Sequence, residues 1–222
     1  MSGRGAFIAL LFLVVAGAVS ASSLPLADIN IASDDRSIRR GAETVVTVCM
    51  NCHNLKYIRF QNLLDIGVDR DSLDLWKSDK DLNAPLIGYT PAAMALDIYG
   101  VVPPDLSLIT AARAHGGRYV YSLLTSFYTN DSGNSDNHVF PGIMMPDVLG
   151  YSFASDDKER HDIEKSASDV AAFLVWAADP NAGLRKKIGV GVIIYLLILT
   201  LLLSIWKRHI WKDVFKSGSN SA

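Results

Sequence analysis

What the sequence lacks narrows its chemistry. Only two cysteines occur among 222 residues, so a disulfide-stapled framework is excluded, and no second Cys or Cys/His pair exists to complete a four-ligand zinc site. Neither sign of charge dominates: 21 Lys and Arg face 23 Asp and Glu, a formal net charge of -2. Without a strong basic field, nucleic acid is not expected as a partner. No internal repeat or low-complexity tract interrupts the chain. Hydrophobic content, at 50%, is high for a soluble domain, and two apolar segments account for it.

Both cysteines fall in one run, Cys49-Met50-Asn51-Cys52-His53. A C-x-x-C-H run is the attachment signature of c-type haem. Two thiols add across the two porphyrin vinyl groups, which sets their spacing, and the histidine after the second thiol supplies the proximal imidazole. One motif implies one covalent haem c, with His53 on the iron. The alternatives for Cys49 and Cys52 are a redox disulfide, since C-x-x-C alone serves several chemistries, and half of a zinc site.

Residues 1–21 carry one charge, Arg4, then an apolar run closing on Val19-Ser20-Ala21. This reads as a secretory signal peptide cleaved after Ala21, with an uncleaved anchor as the alternative. Residues 188–206 contain no formal charge and are flanked by Arg185-Lys186-Lys187 and Lys207-Arg208. Their length suits one membrane-spanning helix, with Trp206 and Trp211 in the interfacial belt. The expected organisation is a signal peptide (1–21), an exported haem domain (22–183), a transmembrane helix (184–207) and a short basic cytoplasmic tail (208–222). That places a single-pass protein in the inner membrane with its haem domain in the periplasm.

The exported domain, about 160 residues long, is large enough to bury a core around a haem. Asp34 to Ser37 read as a helix start, and Ile38, Ala42, Val45 and Cys49 then form one stripe that delivers the thiols and His53. Gly41 in that helix permits close approach by another. A second amphipathic helix, capped by Ser166 or Ser168 with Asp169 in its first turn, carries Val170, Phe173, Leu174 and Ala177 and ends at Asp179-Pro180. Thr90-Pro91 opens a short helix ending at Gly100, and 106–115 reads as another ending at Gly116-Gly117. Residues 119–128 read as a third, with a strand as the alternative, 130–137 as a polar loop, and 65–81 as irregular and acidic.

For the far side of the iron the candidates are methionine, a second histidine or an open position. Thioether ligation raises the potential, which suits an electron carrier. Met144-Met145-Pro146 lies in a Gly/Pro-rich segment rather than a helical stripe, and Pro146 restrains Met145 to an extended backbone. Met50 and Met94 sit in poorer contexts, and His115 and His138 read as surface polar groups.

Together with the haem motif, Pro103-Pro104-Asp105-Leu106-Ser107, Ala114-His115-Gly116-Gly117, Met145-Pro146 and the run from Phe173 to Pro180 before a single C-terminal anchor resemble the cytochrome c1 family. That is the haem-c subunit of ubiquinol–cytochrome c reductase, the cytochrome bc1 complex. The resemblance runs over about residues 37–216, and the short region after Ser132 suggests a bacterial form. It implies a mainly α fold, a cytochrome c-like haem domain with long irregular loops plus one C-terminal transmembrane helix. Cys49 and Cys52 would hold the haem, with His53 and Met145 as axial ligands and Met144 the fallback. Pro103 and Pro104 would pack on the haem, and Arg113 would meet a propionate, although the spacing around it departs from the family by one residue.

The implied partners are the cytochrome b subunit, the Rieske iron–sulfur subunit and a cytochrome c acceptor. The implied mechanism is outer-sphere electron transfer, so the chain alone is not expected to be an enzyme. The acidic stretch 65–81, with Asp131 and Asp136, is a candidate steering surface for a basic acceptor. Two other readings stand beside this one: a free-standing membrane-tethered monohaem cytochrome c shuttle, and a membrane-anchored thiol–disulfide oxidoreductase.

Overall fold

The computed structural model describes residues 26–219, with side chains to residue 211. The expected signal peptide lies outside the described residues, as does the end of the tail. The domain is mainly helical, and its core is the seam between two helices far apart in sequence. The first, α1 (Asp35–Thr47), is capped by the Asp34 carboxylate, which accepts from the Ser37 backbone N–H at 3.0 Å. Ile38, Ala42, Val45 and Val46 are buried along one face, as their spacing requires.

This helix packs on a 22-residue helix spanning Asp157–Ala178. That helix starts well before the expected Ser166 or Ser168. Its cap is Asp156, whose carboxylate accepts from the Glu159 N–H at 2.7 Å, while the Glu159 side chain accepts from the Ser155 N–H at 2.8 Å. The extra turns are polar and solvated, so no apolar stripe marks them in the sequence. Asp169, expected in a first turn, is instead a buried mid-helix residue. Arg40 donates to it twice, from Nε at 2.6 Å and Nη2 at 2.8 Å. That hydrogen-bonded carboxylate raises the Arg40 pKa and holds the guanidinium in its charged form. Gly41 is the contact point: a Cβ there would lie 1.9 Å from the Asp169 carbonyl oxygen. Val170, Phe173, Leu174 and Ala177 complete the seam.

Between these helices the chain is short-segmented. Strand β1 (Leu55–Arg59) pairs antiparallel with β2 (Pro85–Leu86), Leu55 opposite Leu86. A 3-10 segment, Phe60–Ile66, buries Phe60, Leu63 and Ile66. The acidic stretch expected to be irregular contains α2 (Arg70–Lys77), because Asp69 caps it by accepting from the Ser72 N–H at 2.8 Å. Helix α3 (Ala92–Tyr99) ends on Gly100 at φ +70°, as the Thr90-Pro91 and Gly100 signals indicate. The helix expected over 106–115 shrinks to one turn, α4 (Ile109–Ala112). The backbone on either side is diverted, Ser107 towards β1 and His115 to φ +69°.

Helix α5 (Gly117–Leu124) is followed by a hairpin, β3 (Phe127–Thr129) and β4 (Ser135–Asn137), where a longer helix and a polar loop were expected. Asn130 makes the turn: its Oδ1 accepts from the backbone of Ser132 and Asn134. The long helix of the seam is therefore α6. Helix α7 (Ala182–Ser219) follows, and its stretch Ala182–Trp211, in which an 18-residue window has a mean hydropathy of 2.8 and none of that window is buried, is long and apolar enough to cross a membrane. It begins earlier and runs further than the expected 184–207 span, since neither flanking basic cluster interrupts a helix.

Candidate haem site

The attachment loop is a continuation of α1. Past the cap residue Val48 the chain tightens into a 3-10 turn, Cys49–Asn51, and the Cys52 and His53 backbone N–H groups donate to the Cys49 carbonyl at 3.1 and 2.8 Å. The Asn51 side-chain amide donates back to the Thr47 and Val48 carbonyls. One turn thus presents both thiols and the imidazole from a fixed helix end. Met50 within it is fully buried and serves as a core plug, which removes it as an iron ligand. Both cysteines are free thiols. Burial pushes the Cys49 thiol up to about 12, opposite to the depressed thiol pKa on which C-x-x-C oxidoreductases depend.

His53 is half-buried, and its Nδ1 lies 2.8 Å from the Pro104 carbonyl oxygen. A carbonyl can only accept, so Nδ1 carries the proton and Nε2 keeps its lone pair. Burial lowers the imidazole pKa, opposed by the Pro104 bond and the Asp105 charge, which favours the neutral, ligating form. The fit to haem c is therefore good on the chain's own donor set: two free thiols, and a neutral histidine tied at Nδ1 as iron-bound histidines are. On and just after α3, whose Tyr99 Oη lies 3.5 Å from Cys52 Sγ, the apolar side chains of Met94, Leu96, Ile98, Val101 and Val102 are exposed.

The Pro-Pro-Asp-Leu-Ser run frames this histidine. The Leu106 N–H donates to the Asn54 carbonyl at 2.8 Å, the Lys56 N–H to Asp105 Oδ2 at 3.1 Å and the Tyr57 N–H to Ser107 Oγ at 3.1 Å. Asp105 and Ser107 satisfy the backbone of β1 where no strand partner does, and Ser107 is wholly buried. From the other side, the Gly88 N–H donates to Asn54 Oδ1 at 2.8 Å, the Tyr89 N–H to the Met50 carbonyl at 2.8 Å and the Thr90 hydroxyl to the Asn51 carbonyl at 2.6 Å. A Cβ at Gly88 would lie 2.6 Å from the His53 carbonyl oxygen, so glycine is required for that approach. Asn54, Gly88, Asp105 and Ser107 were not singled out as site residues from the sequence. The available signals were Asn54 directly after the motif and the Pro-Pro-Asp-Leu-Ser run itself.

The remaining expected residues are placed as follows. Met145 is half-buried against the core, whereas Met144 points outward, 58% exposed. Two carboxylates hold the loop around them: Asp136 accepts from the Gly142 N–H at 2.8 Å, and Asp147 from the Gly150 and Ser152 N–H groups at 3.0 and 2.7 Å. Those backbone bonds lower the Asp136 pKa. Pro103 is half-buried and Pro104 exposed. Arg113 is exposed after α4, its guanidinium 5.8 Å from the Tyr119 ring centroid. His138 stacks on Tyr128 at 4.1 Å, and His115 is exposed. Nothing in the structure brings either histidine to His53.

The sequence matches the model of the Cytochrome C1 family over residues 26–85 and 77–214. Among curated proteins it is 28% identical over 201 residues to the ammonia monooxygenase gamma subunit of Nitrosomonas europaea, covering 82% of this chain and 85% of that one. It is 28% identical over 227 residues to cytochrome c1 of Rhodospirillum rubrum, covering 82% and 83%. It is 32% identical over 216 residues to the mitochondrial cytochrome b-c1 complex catalytic subunit of Candida albicans, covering 82% and 73%.

Proposed function

The chain belongs to the cytochrome c1 family, and from that membership we propose that it passes electrons from a Rieske iron–sulfur subunit, through one covalent haem c, to a cytochrome c acceptor. Family membership makes it the haem-carrying electron-transfer subunit of a cytochrome bc1 complex. The single observation that carries the local reading is the His53–Pro104 bond beside two free thiols on one turn. When bound, haem c supplies a one-electron Fe(III)/Fe(II) couple.

The residues divide the remaining work. Cys49 and Cys52 anchor the group, and His53 presents Nε2 to the iron. Met145 would be the second protein ligand to the iron, a reading supported by its packing against the core where Met144 is exposed. Arg113 pairs with a propionate, its guanidinium steadied against Tyr119. Pro103 lies against the haem, and Pro104 contributes its carbonyl as well as its ring. No side chain needs to move a proton, so the chain is a redox subunit rather than an enzyme by itself.

The apolar stretch of α7 anchors the domain beside a cytochrome b subunit. Residues 1–21 act as the export signal, 22–183 form the periplasmic domain, 184–207 cross the inner membrane, and 208–222 stay cytoplasmic. The test is a pyridine haemochrome spectrum of the protein purified from its own membranes in gentle detergent. Haem c with about twice as much haem b is the expected result. Haem c alone would favour the free-standing tethered shuttle, and no haem from a maturation-competent host would refute both.

A further inference from the structure

We propose that the Tyr99 hydroxyl tunes the haem through the Cys52 sulfur, an inference that rests on the attachment reading above. Tyr99 is the last residue of α3, and its Oη lies 3.5 Å from Cys52 Sγ. The helix is placed by more than this contact. Its N-terminal approach, residues 88–90, is bonded along the attachment loop at Asn54, Met50 and Asn51. Its C-terminal end is turned away by Gly100 in the left-handed region. Only Ala95 within α3 is buried, so packing alone does not determine where the helix sits. The two ends do, and the C-terminal end meets the loop at the thiol.

The contact changes direction when the haem is attached. In the free chain the Cys52 S–H is the donor and Tyr99 Oη accepts. On thioether formation the sulfur bonds the inner vinyl carbon and its hydrogen goes to the terminal vinyl carbon. The sulfur then has lone pairs and no hydrogen, so the Tyr99 O–H becomes the donor. An O–H dipole aimed at the thioether draws electron density from the ring edge and favours the ferrous state, one of the hydrogen-bonding levers by which a protein sets a haem potential. Phenylalanine keeps the ring and removes the dipole, whereas alanine removes both.

The experiment is potentiometric titration of the detergent-solubilised complex carrying wild-type chain, Tyr99→Phe or Tyr99→Ala, with covalent haem content checked by mass. Tyr99→Phe should retain its haem and lower the ferrous-to-ferric ratio about threefold at a fixed applied potential, about 28 mV at 59 mV per tenfold. Tyr99→Ala should fall at least as far. A wild-type potential in Tyr99→Phe overturns the proposal, and a shift confined to Tyr99→Ala assigns the effect to packing and overturns it equally. Absence of covalent haem from the wild-type chain is a different failure, that of the attachment reading itself.

Discussion

Replacing Gly41 by alanine should destabilise the haem domain although alanine is the better helix former. The substitution gains about 1 kcal/mol of helix propensity. Against this, the new Cβ would lie 1.9 Å from the Asp169 carbonyl oxygen, 2.5 Å from its carbon and 2.9 Å from Phe173 Cβ. Two of those atoms are backbone within a 22-residue helix, so no rotamer change relieves the clash. Restoring ordinary contact at 3.4 Å requires α1 and α6 to separate by about 1.5 Å. That opens the seam of Ile38, Ala42 and Val45 against Val170, Phe173 and Leu174, and stretches the paired bonds between Arg40 and Asp169. Overpacking of this kind costs about 3 kcal/mol, leaving a net loss of about 2 kcal/mol. Guanidinium denaturation of the detergent-solubilised protein, followed through its helical circular dichroism, should show a lower midpoint with an unchanged slope. A midpoint equal to or above that of the wild type would refute the close-approach argument.

Three further perturbations have definite outcomes. Met145→Ala should abolish the methionine-bound low-spin spectrum and lower the potential, while Met144→Ala should leave both near wild type; the reverse pattern would move the ligand to Met144. Gly88→Ala, whose Cβ would meet the His53 carbonyl oxygen at 2.6 Å, should lower the yield of covalent haem c in a maturation-competent host, measured by haem-stained electrophoresis. The pH dependence follows from Asp136, whose pKa is lowered below 3.8 by bonds from the Gly142 and Asn137 backbone. A depressed carboxylate stabilises the fold above its unfolded value and loses that contribution as pH falls through the folded one. The methionine-bound fraction should therefore hold above about pH 4 and decline on further acidification, and Asp136→Asn should weaken the loop already at neutral pH.

The parts of this molecule that could be read in sequence are those whose physics is local. The C-x-x-C-H spacing, the stripe on α1, the Thr90-Pro91 start and Gly100 stop of α3, and the long apolar run of α7 each carry their own signal over a few residues. The failures have physical causes. The polar turns that open α6 have no apolar period, so the sequence marks the helix only where its buried face begins. Asp169 reads as a first-turn residue by charge preference, but its position is explained by Arg40, 129 residues away in sequence. The hairpin after α5 follows from Asn130 and buried Asn137, whose side chain bonds the Leu123, Val139 and Phe140 backbone. Residues 106–108 missed being helix because Asp105 and Ser107 bond β1 instead.

That last diversion explains how a site spread over the chain is kept in register. The two thiols and His53 are rigid with α1, since the loop continues the helix. Met145 belongs to a loop that leads into α6 and rests on the same core. On the proposed ligation, His53 and Met145 are thus carried by opposite members of one helix pair, joined where Gly41 meets Asp169. His53 is held a second time, outside that seam, by its Nδ1 bond to the Pro104 carbonyl, and the neighbouring Asn54 carbonyl accepts from the Leu106 N–H. Loosening the seam should therefore release the methionine side first and leave the histidine in place. In the Gly41→Ala protein, loss of the methionine-bound spectrum should precede global unfolding as guanidinium is raised, with the histidine-bound haem persisting beyond it. Simultaneous loss of both would show that the Pro104 frame is not independent of the helix pair.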